Sequence, residues 1–223
     1  MGACVARLRE RPRRTGDDHR RKPRADLKPA KGHAVQETDQ TRGPLGLTPI
    51  DPALLGRPID YLHAVHLRER EACAILDRIA DLGRASAAEA TSVMAFLSDE
   101  LPVHLEDEET DLFPLLQGRC TEEDEIDRLL EKLRSDHRHA DFDTPRVTAI
   151  LGNATSGIEP AACAELRRYA DHARRHLILE NAILLRFARL RLTEQDSEML
   201  RTAMTRRRGL DFPPGARHAE RPS

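Results

Sequence analysis

The sequence predicts an all-α protein, an antiparallel up-down four-helix bundle with a short fifth helix at the C-terminal end. Three observations predict it. Of 223 residues 39% are hydrophobic, yet there is no tryptophan and there are only two tyrosines, so Leu, Ala and Ile must build the core. From Pro58 onward apolar residues recur every three or four positions, the period of a half-buried helix. Helix start and stop signals cut that pattern into long segments with short or moderate connections, which favours antiparallel neighbours.

Each helix is bounded by its own signals. Pro58 suits a first-turn position and Gly83 follows a periodic run, giving a first helix over about 58–82. The second opens at Ser86, where SAAE has the form of a capping box, and runs to about Gln117 with a bend at Pro102. A third opens at Thr121 with the acidic turn TEEDE and fades near Pro145, resuming up to Gly152. The fourth spans about Pro160 to Leu192, and Thr193 with EQD caps the fifth, to about Arg208.

Domain limits follow from composition. Residues 1–50 hold 12 Lys and Arg against 6 Asp and Glu, net +6, so the other 173 residues carry −8 to give the chain total of −2. The first 50 residues read as a disordered basic tail, because they lack the apolar surface that would offset ordering entropy. The bundle is expected over 51–208, with its core at 58–192, and a flexible C-terminal tail over 209–223. Without aromatic residues among its charges, the basic tail suggests no sequence-specific nucleic-acid partner. No apolar run reaches the roughly 18 residues of a membrane span, and no secretory signal is legible. Cys4, Cys73, Cys120 and Cys163 lack CxxC spacing, so a reducing cytoplasm is the expected compartment.

At about 100° per residue, Val93, Leu97, Leu101, His104, Glu108, Leu112 and Leu115 form one stripe of the second helix. On the first, Ile59, Leu62, His66, Cys73, Leu76 and Ala80 share a face, with His63 to one side. Ile126, Leu130, Leu133 and His137 line the third, and His139 falls opposite. Ala162, Tyr169, His176, Glu180, Ile183 and Phe187 line the fourth, with His172 at the edge. Four helices thus each send one histidine inward, and two add a glutamate through HxxxE spacing.

Burying two carboxylates without positive compensation costs several kcal/mol each. No Lys or Arg shares those stripes at matching height, so metal cations are the natural compensation. Four imidazoles and two carboxylates are too many for one tetrahedral zinc, and inward thiolate clusters are lacking. Two ions fit better, each taking two histidines and sharing both glutamates, with a position left open for a diatomic ligand. Mixed nitrogen and oxygen donors suit two non-haem iron ions, with manganese or zinc able to substitute.

YLHAVHLRERE, ELPVHLEDEETDLFPLL, LRSDHRHAD and RRHLILENAILL resemble the hemerythrin family, in particular its bacterial HHE cation-binding branch with the pattern H, HxxxE, H, HxxxE. The resemblance covers about residues 58–190. It implies a hemerythrin-like bundle with a di-iron centre, His66, His104, His137 and His176 as terminal ligands and Glu108 and Glu180 as bridges. Departures are visible: the first motif reads VH, the third helix has no HxxxH, and the fourth motif ends in Glu at i+4 where the animal oxygen carriers use Asp at i+5.

Three functions are compatible with this reading. The first is a metal-binding protein that binds or senses O2 or nitric oxide. The second is a redox or repair role, such as peroxide or nitric oxide reduction or iron donation to damaged iron–sulfur clusters. The third is a metal-free structural bundle. No nucleophile with base and orienter, phosphate-binding glycine loop or dinucleotide fingerprint is present, which disfavours hydrolytic and nucleotide-dependent chemistry; no catalytic residue is assigned, and no redox partner is legible. His63 and His172 are either spare or outer ligands or, as expected from their angular position, flank residues; Asp136 and Asp171 are expected to face solvent, Cys73 to act as a small buried hydrophobe, and EDEETD to be mostly a solvated face, with only Glu108 in the site. Tyr169 is either core packing or a hydrogen-bond partner of a bound ligand.

Overall fold

The computed structural model describes residues 46–210. Among them are five helices, here α1 (Pro58–Leu82), α2 (87–119), α3 (Ile126–Gly152), α4 (160–191) and α5 (Glu194–Arg207). Pro58 opens α1, and Gly83, at φ 63°, takes the left-handed conformation that closes it. At the start of α2 the Ser86 hydroxyl accepts from Glu89 N–H at 3.2 Å, while the Glu89 carboxylate accepts from Ser86 N–H at 2.9 Å. Thr193 and Asp196 repeat that box at α5.

Side-chain pairs fix the topology. Between α1 and α4 they run Asp60–Arg189, His66–Asn181, Asp77–Arg174 and Asp81–Arg167, one number rising as the other falls. Arg68–Glu100 and Arg78–Glu89 show the same inversion for α1 and α2. Gln117–Asp127 and His137–Glu109 do so for α2 and α3, and Thr144–Tyr169 with Asp136–His172 for α3 and α4. The four long helices are therefore an antiparallel up-down bundle.

The structure departs from the periodic reading in three places. Thr121 caps only a short 3-10 turn, Glu122–Asp124, and α3 begins after Glu125, whose φ is 48°. The helix then runs unbroken through Pro145. The carbonyl four residues back belongs to exposed Asp141, so the hydrogen bond that proline removes is lost on the solvent side of the helix, where it costs least. Third, α2 and α4 are not uniformly α-helical: π-helical turns occupy Phe96–Glu100, Asp107–Leu112 and Glu180–Leu184. A π turn holds an extra residue, which rotates the following stripe. Hence Leu116 rather than Leu115 is buried, and Leu184 and Ala188 take the positions expected of Ile183 and Phe187.

Buried apolar residues form two layers. One holds Val65, Leu76, Ile79, Phe96, Leu97, Leu101, Val147 and Leu166; the other Leu62, Leu112, Phe113, Leu116, Leu130, Leu133, Leu184 and Leu185. Along each long helix the switch between layers occurs at the inward histidine. Residues 1–45 and 211–223 lie outside the described residues, and with them most of the expected tails. At the edge of the N-terminal one, Leu47 is buried, its N–H donating to Ser92 Oγ at 3.1 Å.

The end of α5 grips α2. Asp107, fully buried, pairs with both Arg207 and Arg208. Arg207 also reaches Asp111 at 2.7 Å, and Arg208 lies 4.8 Å over the Tyr61 ring. Asp107 is thus a correction to the solvated reading of EDEETD: a buried charge next to the inward Glu108 is tolerated because two guanidiniums cover it. Replacing both arginines with alanine strands that carboxylate, and urea denaturation should show a stability loss of about 3 kcal/mol.

Candidate metal centre

The polar belt between the apolar layers is made by six side chains. His66, His104, Glu108, His137, His176 and Glu180 are between 0% and 6% exposed. Glu108 and Glu180 both sit in π-helical turns, so the local widening of the helix occurs where a carboxylate enters the core.

The carboxylates lie among the imidazoles. His66 Nε2 is 3.4 Å from Glu108 Oε1 and 3.4 Å from Glu180 Oε2. His137 Nε2 is 3.5 Å from Glu108 and 3.6 Å from Glu180. His104 Nε2 stands 3.8 Å from Glu108, and His176 Nε2 2.8 Å from Glu180. Two sets result, His66, His104, Glu108, Glu180 and Glu108, His137, His176, Glu180, each offering ligand atoms within 4.8 Å of one another. Both sets contain both glutamates.

Hydrogen bonding shows whether this donor set fits cations. Among the described residues, twelve buried side-chain nitrogen and oxygen atoms lack a partner in hydrogen-bond geometry, and ten belong to these six residues, including Nε2 of all four histidines and every oxygen of both glutamates. Even the close His176–Glu180 approach lacks that geometry. Ordinary cores leave very few such groups, so the belt is suited to coordination. The donor set fits two hard or borderline cations.

Outer partners aim two of the rings. Asn181 donates through Nδ2 to the Leu177 carbonyl at 2.8 Å, leaving its Oδ1 to accept from His66 Nδ1–H at 3.1 Å. Glu109 Oε1 accepts from His137 Nδ1–H at 2.6 Å. Each bond fixes the tautomer that presents Nε2 to the belt. Phe113 stacks on His137 at 5.8 Å between centroids.

Electrostatics follow from crowding and burial. Burial works against a charge on His66 and on His137, but Glu108 and Glu180 outweigh it and lift both to about 9. His104 is held well below the ordinary value by burial and by the neighbouring His66. Burial and the like charge of Glu180 raise Glu108 to about 7, while Glu180, despite burial, is held well below the ordinary range by His176 and His66. Protons on the imidazoles thus offset the carboxylates when nothing else does.

Other expected placements vary. His139 is exposed, as read; His63 is exposed and His172 half-buried, and both lie outside the two sets. Cys73 is buried, and burial pushes its thiol up to about 12. Tyr169 is buried and bonds Thr144 Oγ1 at 2.9 Å. Asp171 faces solvent, but Asp136 is a correction: it is 5% exposed, pairs with Lys132 and lies 3.7 Å from His172 Nε2 and 3.8 Å from His176 Nδ1. It points along the α3–α4 seam, where a flank position is covered by the neighbouring helix. The periodic reading also passed over Glu69, 7% exposed and lifted by burial to about 7; its signal was HLRE, three residues after His66. Asn181 and Glu109 carry no pattern of their own beyond adjacency to Glu180 and Glu108.

Ligation requires His66 and His137 to give up their protons, so at pH 7 metal uptake should release protons, and affinity should rise steadily from pH 6 toward 9. Zinc or cobalt titration with an indicator dye measures both. Glu109→Ala, which frees the His137 ring, should weaken metal binding about tenfold or more in the same titration.

The hemerythrin HHE cation-binding domain model matches residues 57–188, more than half of the 223-residue chain. Comparison with curated proteins and with solved structures gave no match. The stretch matched holds α1, the motifs of α2 and α3, and both inward residues of α4; the chain belongs to the hemerythrin HHE cation-binding family.

Proposed function

We propose that this is a non-haem di-iron protein that binds or senses O2 or nitric oxide. His66 and His104 would hold one ion, His137 and His176 the other, and Glu108 and Glu180 would be shared. The observation that carries the reading is the pair of four-residue sets with both carboxylates in common. Bound iron would supply reversible electron transfer to a small ligand. The chain's own residues do the rest. The two carboxylates lower the combined charge of two nearby cations, and Asn181 and Glu109 keep two Nε2 atoms aimed inward. The apolar layers on either side exclude water from the belt, which strengthens every electrostatic interaction within it.

A metal-free structural bundle is disfavoured by the ten unpartnered buried atoms. A redox or repair role uses the same ligands and separates from binding only by turnover with peroxide or nitric oxide. Iron loading followed by metal analysis and visible spectra, with and without nitric oxide, tests the proposal. Two iron ions per chain and a spectrum that shifts with nitric oxide are expected, and His104→Ala should lose at least half of the iron. Iron content below one per chain, or a content unchanged in His104→Ala, would contradict it.

A further inference from the structure

Helix α4 carries two arginine doublets, Arg167-Arg168 and Arg174-Arg175, separated by two helical turns, about 10 Å along the axis. Within each doublet the side chains diverge by about 100°. The first arginine turns to α1: Arg167 pairs with Asp81 at 2.7 Å, and Arg174 pairs with Asp77. The second turns the other way. Arg168 and Arg175 both line an open cleft of about 370 Å³ on the α3–α4 surface, and among the described residues neither side chain has an ion-pair or hydrogen-bond partner, unlike Arg146, Arg167 and Arg174 around them.

The other charges of the cleft are mostly neutralised in place. Arg146 pairs with Glu165 at 2.6 Å, and Asp171 faces Arg174 at 3.3 Å. That leaves one carboxylate, Asp143, against two uncommitted guanidiniums. His172 stands four residues after Arg168 and three before Arg175, and its ring lies 5.7 Å from that of His139 across the seam. A cleft of this volume takes a small organic molecule. Guanidiniums recognise carboxylates and phosphates through paired N–H donors, so the cleft is short of anionic oxygen at two points.

We propose that the α3–α4 cleft binds a small organic anion with an oxyanion group at each end, one group held by Arg168 and the other by Arg175. The two-turn spacing of the arginines selects for length, and Asp143 repels further negative charge. None of the six belt residues lines this cleft, so the site stands apart from the metal centre and does not depend on the di-iron reading.

Calorimetric titration of the full chain in about 0.15 M salt, which screens scattered surface charge, tests the proposal. Two probes carry two anionic groups, fructose 1,6-bisphosphate and adipate; inorganic phosphate and acetate carry one. At least one two-group probe should bind tenfold or more tighter than its one-group counterpart, and which of them does so tells phosphate from carboxylate. Arg168→Gln and Arg175→Gln, at exposed positions with no partner to lose, should each weaken that binding at least tenfold. Arg167→Gln, which removes the same charge one position away, should leave it within twofold. No preference for two groups, affinity kept in either cleft variant, or an equal loss in Arg167→Gln would overturn the proposal.

Discussion

Two buried carboxylates with no Lys or Arg beside them are the constraint on which the rest of the structure depends. Among the described residues, the groups within ion-pair distance of Glu108 and Glu180 are histidines. A core that isolates such charges from water must be compensated from within. Imidazolium can do so in part, which is why burial fails to hold His66 and His137 neutral. Bound cations would do so more fully and would use lone pairs that otherwise face no donor.

The fold is arranged around that belt. Each long helix contributes apolar residues to one layer, one inward imidazole, then apolar residues to the other layer. Antiparallel packing brings the four imidazoles to one level, His66 from the first half of α1 and the other three from nearer the middle of their helices. The π turns supply what regular helices do not, an altered phase at Glu108 and Glu180. Asp107, next to Glu108, is gripped by Arg207 and Arg208, so α5 reinforces the segment from which a shared carboxylate projects.

Helix number, order and most boundaries were legible because caps and breakers act locally: Ser86 with Glu89, Gly83, and Thr193 with Asp196 need only their neighbours. The six inward polar residues were legible because histidine and glutamate on an apolar stripe are conspicuous. What escaped was set by tertiary context. Regular periodicity cannot announce a π turn, so the stripes beyond Leu112 and Glu180 slipped by one residue. Asp136, Asp107 and Glu69 look like surface charges until helix α4 covers the first, α5 the second, and the α3–α4 side of the belt the third. Pro145 reads as a break before the helix resumes, yet α3 runs through it without one, the carbonyl it deprives belonging to exposed Asp141.

Anomalous diffraction at the iron edge from crystals of the iron-loaded protein tests the central claim most directly. Two peaks are expected, roughly 3.5–4 Å apart, one beside His66 and His104 and the other beside His137 and His176, with Glu108 and Glu180 between them. A single peak, or iron bound away from these six residues, would contradict it.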